Sequence, residues 1–149
     1  MNLYPFVKAA SNPATRFDAL VEEIDIGGPS LVRAAAKNFR GVLVVVDPAD
    51  YAQLLAAIDA GPSLQFRFDL MRKAIAHTAA YDTAITSTLA QVTLNGDAFE
   101  RAGASALGTT TLLSLGKLRD LRYGENPHQK AAWYTAGSRE QAIGLGHAS

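Results

Sequence analysis

The segment Gly27-Gly28-Pro29-Ser30 has the composition of a helix start that can bind an anion. Glycines let a backbone approach a ligand closely, and the free N–H groups of a helix start favour an anion or a carbonyl oxygen that gains negative charge. A Gly-Gly-Pro turn also starts many helices that bind nothing, and without other information this is the more frequent outcome. Because their backbone groups could still hold an anion, Gly27, Gly28 and Ser30 are candidate substrate-binding residues.

Charged residues flank this segment. Ser30, Arg33 and Lys37 are three and four residues apart and share one face of the predicted helix, and Asp25 precedes its start. This spacing predicts an acid and a cation within one turn region, where Lys37 donates to an oxygen and Asp25 orients or deprotonates a nitrogen. The alternative is a solvated charged face with an aspartate that complements the helix dipole. Spacing alone favours the alternative.

A second set of candidate residues follows at 122–128. Arg122 offers a planar fork of donors for phosphate or carboxylate, and Tyr123 offers a ring that can stack on a purine. Gly124, Asn126 and His128 come directly after them. The alternative is a surface turn at Gly124 with an ordinary polar histidine, and the residues alone favour it.

Four polar residues, His77, Thr78, Tyr81 and Asp82, fall inside a long predicted helix. We expect them to form structural hydrogen bonds rather than to take part in catalysis. The chain has three scattered histidines, with no Glu or second His at helical ligand spacing, which argues against a metal site.

The composition narrows the classes of partner and compartment. Lys+Arg and Asp+Glu are equal at 14 each, so no global field favours nucleic acid or an anionic membrane. Cysteine is absent, which excludes disulfides and thiolate chemistry and fits a cytoplasmic protein. Apolar residues make up 48% of the chain, enough for a core, and no apolar run reaches the roughly 18 residues needed to span a membrane.

The first half predicts alternating helices and strands. Residues 2–7 resemble a strand that ends in a turn at Pro5, residues 15–23 a short helix capped near Asn12 or Thr15, and residues 30–38 a second helix with Pro29 in its first turn. The aliphatic run 42–46 predicts a central parallel strand covered on both faces. This order indicates a layered α/β unit.

Two further helices are predicted. Asp47 and Pro48 open one that ends before Gly61, and its apolar residues should face inward: Tyr51, Leu54, Leu55 and Ile58. Residues 63–92 contain no proline or glycine and predict one long helix, which packs against other helices or a second subunit. Its predicted packing face comprises Leu64, Phe68, Met71, Ile75, Thr78, Asp82, Ile85, Leu89 and Val92. Residues 94–116 predict a connector.

Three motifs together resemble a known family. They are Asn2-Leu3-Tyr4-Pro5-Phe6, then Ile24-Asp25-Ile26-Gly27-Gly28-Pro29 with Arg33-Ala34-Ala35-Ala36-Lys37-Asn38, and Leu121-Arg122-Tyr123-Gly124-Glu125-Asn126-Pro127-His128-Gln129. This pattern is similar to that of the bifunctional AICAR transformylase/IMP cyclohydrolase family. The resemblance implies catalytic roles for Lys37, Asp25 and Tyr4. It also implies substrate binding by Asn2, Gly27, Gly28, Ser30, Arg33, Arg122 and Tyr123.

The resemblance implies two successive reactions in purine biosynthesis. Ring closure converts formyl-AICAR to IMP and water without metal or redox cofactor, and the preceding formylation of AICAR uses 10-formyltetrahydrofolate as co-substrate. The implied partners are these small molecules and a second copy of the chain in a cytoplasmic homodimer, with no nucleic acid or membrane. The alternative function is a non-catalytic module that binds a nucleotide or forms a dimer.

The resemblance also implies an organisation. Residues 1–92 would be the C-terminal part of a methylglyoxal-synthase-like (Rossmann-like) cyclohydrolase domain, truncated at its N-terminus and including the long helix. Residues 93–116 would be a connector, and residues 117–149 the beginning of an α/β transformylase domain. The chain is therefore expected to be a segment of a longer enzyme.

Overall fold

A computed structural model describes residues 1–101, 115–122 and 124–136. The chain separates into two compact units, Met1–Thr110 and Thr111–Ser149, and each is described by itself. This division does not test the functional domain limits at 92 and 116, which stay a prediction.

The first unit begins with two short helices, α1 (Phe6–Ala10) and α2 (Phe17–Glu22). The predicted helix at 15–23 is confirmed in shorter form, but neither Asn12 nor Thr15 caps it, since Arg16 is its N-cap residue. The strand predicted at 2–7 is wrong. Pro5 lacks a backbone N–H and suits the start of a helix, and the N–H groups of Lys8 and Ala9 donate to its carbonyl oxygen.

The main core lies between helix α3 (Gly27–Lys37), helix α5 (Leu64–Leu89) and the extended residues 42–46. Its buried members are Val32 and Ala36 of α3, Val44 and Val46 of the extended segment, and Ala74 of α5. Small side chains at positions 36 and 74 allow the two helices to approach closely. The helix predicted at residues 30–38, which follows the Gly-Gly-Pro segment in sequence, is confirmed as α3.

The extended residues 42–46 differ from the predicted central strand. They have no strand partner in the described part of the chain, so no parallel ladder forms there. Val44 and Val46 are buried whereas Leu43 and Val45, on the opposite side, are only half-buried, so the run is covered mainly on one side. Its backbone carbonyl at Val45 accepts a hydrogen bond of 2.5 Å from the amino group of Met1.

A 3₁₀ turn (Pro48–Asp50) leads into helix α4 (Tyr51–Ala60). The predicted capping role of Asp47 is confirmed for the 3₁₀ turn, because its Oδ1 accepts from the N–H of Ala49 at 3.0 Å, whereas α4 itself begins at Tyr51 without a side-chain cap. The predicted end is confirmed too, since Gly61 adopts φ +81°, which favours glycine. The predicted inward face is wrong: Leu54 is only half-buried, and the other members, Tyr51, Leu55 and Ile58, are exposed.

Helix α5 confirms the prediction of one long helix and is about 39 Å long at 1.5 Å per residue. The hydroxyl of Ser63 caps it by accepting from the N–H of Phe66 at 3.1 Å. Its predicted packing face is misplaced. Thr78 is buried as expected, but the other buried positions are Leu70, Ala74 and Tyr81, about one residue earlier, and the exposed ones are Leu64, Phe68, Ile75 and Leu89.

Two antiparallel hairpins complete the described structure: β1 (Val92–Asn95) with β2 (Ala98–Arg101), and β3 (Leu115–Leu121) with β4 (Ala131–Ala136). The first hairpin corrects the predicted connector over residues 94–101, where Gly96 at φ +61° permits a tight turn. Residues 102–114 of that connector lie outside the described residues. In the first unit, the rings of Phe17 and Phe99 stack with centroids 4.1 Å apart and join β2 to α2. The second hairpin belongs to the second unit.

The mixture of helices and small sheets is compatible with the predicted α/β class. Among the described residues, no helix is both long enough and apolar enough to cross a membrane.

Candidate functional site

The carboxylate of Asp25 lies at the start of α3 and is held by backbone N–H groups. Its Oδ1 accepts from the N–H of Gly28 at 2.7 Å, and its Oδ2 accepts from the N–H of Tyr4 at 3.3 Å. The first contact satisfies one of the N–H groups that a helix start leaves without a partner. The second, longer contact joins two motifs that are far apart in sequence. The side chain of Asp25 therefore has a defined orientation.

The two glycines beside this carboxylate differ in their surroundings. A Cβ atom at Gly28 would meet the side chain of Asp25 and would lie 2.8 Å from Cδ2 of Leu3. A Cβ atom at Gly27 would have no neighbour within 4 Å. Gly28 therefore allows the close approach of the carboxylate, while Gly27 borders open space in which a ligand can be placed.

The predicted polar face of α3 is confirmed, since Ser30, Arg33 and Lys37 are all exposed. The hydroxyl of Ser30 donates to the carbonyl of Ile26 at 2.9 Å, and Arg33 pairs with Asp82 of α5. Lys37 is the last residue of the helix.

The prediction that Asp25 and Lys37 lie within one turn region is wrong. Gly27 and Lys37 are about 15 Å apart along the axis at 1.5 Å per residue, and Asp25 precedes Gly27. The four-carbon stem of a lysine covers less than half of this distance. The carboxylate and the ammonium group therefore cannot contact one another and can only reach different parts of a shared ligand.

The residues before α1 contribute unequally to this region. Asn2 is exposed, and the side chain of Tyr4 is 59% exposed, so its hydroxyl is accessible. Leu3 packs against the main core and beside Gly28, a positioning role that sequence reasoning missed. The sequence contained a signal for this packing role, because Leu3 is the one aliphatic residue between the candidate site residues Asn2 and Tyr4.

In the second unit, Arg122 is exposed and follows β3, while Tyr123 lies outside the described residues. The next turn is closed by the N–H of Gly124, which donates to the carbonyl of Gln129 at 2.9 Å, and by the N–H of Asn126, which donates to Oε1 of Gln129 at 3.0 Å. The predicted surface turn is thus confirmed, and it presents Arg122 at one end.

The polar residues of α5 mainly form the structural contacts that were predicted. The hydroxyl of Thr78 donates to the carbonyl of Ile75 at 3.0 Å, Asp82 pairs with Arg33, and the Tyr81 hydroxyl contacts backbone groups on both sides of Ile24. The exception is His77: its buried Nε2 has no hydrogen-bond partner within the described ranges.

A separate ionic cluster joins the end of the extended segment to α5. The ammonium group of Lys73 donates to Asp47 at 2.7 Å and to Asp50 at 3.0 Å. The hydrogen bond from Lys73 lowers the pKa of Asp47, and the hydrogen bond to Asp47 raises the pKa of Lys73. The ammonium group of Lys73 is thus paired with two carboxylates, as expected of a cluster with a structural role.

Residues 1–101, 115–122 and 124–136 contain no group of three or more His, Cys, Asp or Glu side chains placed to hold a metal ion.

Together, these observations describe a chain of mixed helix and strand content, compatible with an α/β fold, in which an oriented carboxylate and two glycines meet at a helix start. A family model described as AICARFT/IMPCHase bienzyme matches residues 35–148. The chain belongs to this family, which is that of a bifunctional enzyme of purine biosynthesis. The match includes Lys37, Arg122 and Tyr123, whereas Asp25 and Tyr4 precede it.

Proposed function

We propose that the chain carries residues of an IMP cyclohydrolase site around the start of α3, within a methylglyoxal-synthase-like domain. The observation that supports this most is the Asp25 carboxylate, which two backbone N–H groups orient beside the open space at Gly27. Membership of the bienzyme family supplies the reaction. In that reaction the carboxamide nitrogen of formyl-AICAR attacks the formyl carbon, and water is lost.

In the proposed reaction, Asp25 holds or deprotonates the attacking amide nitrogen. The former formyl oxygen is bonded to the carbon that this nitrogen attacks, so it lies beside Asp25 and beyond the reach of Lys37 in the same chain. Lys37 is therefore proposed to donate to a substrate oxygen farther along the helix, and the accessible hydroxyl of Tyr4 to relay a proton or fix the ring. Because Asp25 and Lys37 are at opposite ends of α3, the substrate has to extend along the exposed face of the helix. Ser30 and Arg33 line that face, and Asn2, Gly27 and Gly28 complete the binding region.

The second reaction of the family is proposed for the second unit. Arg122 would bind AICAR through its guanidinium group and Tyr123 through its ring, with 10-formyltetrahydrofolate as the formyl donor. Exposure of Arg122 beside a closed turn supports this assignment. Cyclisation is proposed to need no metal or redox cofactor.

The proposal includes a cytoplasmic homodimer. The exposed apolar residues Tyr51, Leu55 and Ile58 of α4 support association with a second copy, and the absence of cysteine fits a reducing compartment.

The second candidate function is a non-catalytic module that binds a nucleotide or forms a dimer. One observation favours it: each oxygen of Asp25 already accepts a backbone hydrogen bond, as a purely structural cap would. On this alternative, Lys37 is an ordinary exposed cation that complements the end of the helix.

The test measures conversion of formyl-AICAR to IMP and, separately, binding of IMP by calorimetry. Variants Lys37→Ala and Asp25→Asn should each lower turnover by about 10²–10³-fold, as expected for removal of one electrostatic or acid–base group. Lys130→Ala, which removes an exposed lysine in the second unit, is the matched control and should leave cyclisation unchanged. Binding of IMP without turnover would favour the second candidate. The absence of both binding and turnover would refute the first candidate and the nucleotide-binding form of the second.

A further inference from the structure

Tyr81 of α5 places its phenol hydroxyl directly behind the loop that carries Asp25. The hydroxyl accepts from the N–H of Asp25 at 2.9 Å and donates to the carbonyl of Glu23 at 3.1 Å. The side chain is only 8% exposed, and its ring meets that of Phe6 edge-on with centroids 6.3 Å apart. One buried hydroxyl therefore fixes the backbone on both sides of Ile24.

The loop between α2 and α3 needs such a partner. The N–H of Asp25 lies outside both helices, so neither helix supplies it with a carbonyl acceptor. A buried backbone N–H without a partner is costly, and Tyr81 removes that cost for this position. The hydroxyl acts as donor and acceptor at once, which phenylalanine at the same position cannot do.

We propose that Tyr81 is a positioning residue for the carboxylate of Asp25, and this inference rests on the proposed function. The carboxylate is held at its oxygens by Gly28 and Tyr4, and its backbone is held by Tyr81. The next residue of α5, Asp82, pairs with Arg33 of α3. Two consecutive residues of the long helix thus hold the loop and the helix of the candidate site in register.

The hydroxyl of Tyr81 is buried and bonds only backbone groups on either side of Ile24, so its effect should be on orientation rather than on binding. When the hydroxyl is removed, the N–H of Asp25 and the carbonyl of Glu23 lose a shared partner and the loop can shift. A misplacement of about 1 Å can lower a rate by about 100-fold. We therefore expect kcat to fall by about 10-fold to 100-fold while KM changes by less than about 3-fold.

The experiment compares Tyr81→Phe with Tyr134→Phe in the whole 149-residue chain. Both variants lose one phenol hydroxyl and keep the ring, but Tyr134 is an exposed residue of β4 in the second unit and has no part in the proposed cyclohydrolase site. Amide hydrogen exchange, followed by NMR, reports the Asp25 N–H. Steady-state cyclisation of formyl-AICAR gives kcat and KM. Tyr81→Phe should accelerate exchange at Asp25 and lower kcat, and Tyr134→Phe should change neither.

Several results would overturn the inference. One is unchanged exchange at Asp25 in a folded Tyr81→Phe variant, and another is accelerated exchange with unchanged kcat. If Tyr81→Phe does not fold, the wild-type chain still provides a measurement: the Asp25 amide must be more protected than that of the neighbouring Ile26, and equal protection contradicts the inference. Asp25→Asn separates the two hypotheses. If Asp25→Asn cyclises formyl-AICAR at the wild-type rate, the proposed function fails. If Asp25→Asn loses activity but Tyr81→Phe keeps the wild-type rate, only the positioning role of Tyr81 fails.

Discussion

Replacement of Gly28 by alanine should disturb the start of α3 and the orientation of Asp25 together. The new methyl carbon would overlap the carboxylate of Asp25 and would approach both its Cγ and the Cδ2 of Leu3 to 2.8 Å. Real Cβ atoms do not come this close to other heavy atoms, so something must move. Leu3 packs on the core and the carboxylate is tied to Gly28 itself, which leaves neither neighbour free to retreat without losing a contact.

The size of the effect follows from three contributions to the free energy of unfolding. Overpacking in a tight site costs about 1–3 kcal/mol. Loss of the 2.7 Å hydrogen bond between the Gly28 N–H and Asp25 costs about 1 kcal/mol more. Alanine in place of glycine gains up to about 1 kcal/mol from helix propensity. The net expectation for Gly28→Ala is a destabilisation of about 1–3 kcal/mol.

Gly27→Ala is the matched control, because a Cβ atom at that position meets nothing within 4 Å. It should be neutral or slightly stabilising. Both variants are compared by urea denaturation followed by circular dichroism, with equal m-values as the check on two-state behaviour. If Gly28→Ala is as stable as Gly27→Ala, the close packing of Asp25 and Leu3 against this glycine is not present in solution.

Three other predictions concern the framework around the site. The pKa of Lys73 is raised above its usual 10.5, so its contribution to the free energy of unfolding is present below pH 10.5 and is lost as pH rises through the folded-state pKa. Lys73→Met should therefore flatten the alkaline limb of a plot of stability against pH. The pKa of Asp47 is lowered below its usual 3.8, so its contribution to the free energy of unfolding is present above pH 3.8 and is lost as pH falls through the folded-state pKa. Asp47→Asn should therefore flatten the acid limb of the same plot, and an unchanged limb would show that the ion pair with Lys73 contributes nothing. Ser63→Ala should lower the free energy of unfolding by about 1 kcal/mol, because the cap to Phe66 is lost, whereas Ser63→Thr retains it; equal stability of the two variants would show that the cap contributes nothing.

Local signals predicted the helix ends well. Asp47 and Gly61 were identified as the ends of one helical segment. Asp47 caps the 3₁₀ turn that leads into α4, and Gly61 ends α4 with a positive φ, and both features depend on only a few neighbouring residues. The Gly96-Asp97 pair was an equally local signal for the first hairpin, and it was overlooked within a segment of weak periodicity. Where a residue type determines the backbone directly, the sequence was sufficient.

Features that depend on a distant partner were predicted poorly. The buried face of α5 is about one residue earlier than the apolar periodicity suggests. Ala74 packs with Val32 and Ala36 of α3, and a small side chain suits that contact better than Ile75. In the same way, the aliphatic run 42–46 has strand composition, but a ladder needs a neighbouring strand, which a run of residues cannot supply by itself.

The structural and catalytic interpretations of Asp25 are compatible. An ionised carboxylate offers about four acceptor positions on its two oxygens. Gly28 and Tyr4 use one on each oxygen, and the other position on each oxygen remains for a substrate N–H. A carboxylate that already caps a helix also loses little freedom when it binds a ligand, which favours an oriented group over a mobile one. The same contacts that make Asp25 a helix cap would therefore prepare it to hold the attacking nitrogen, and Lys37, three turns away, would have to act on another atom of the same molecule.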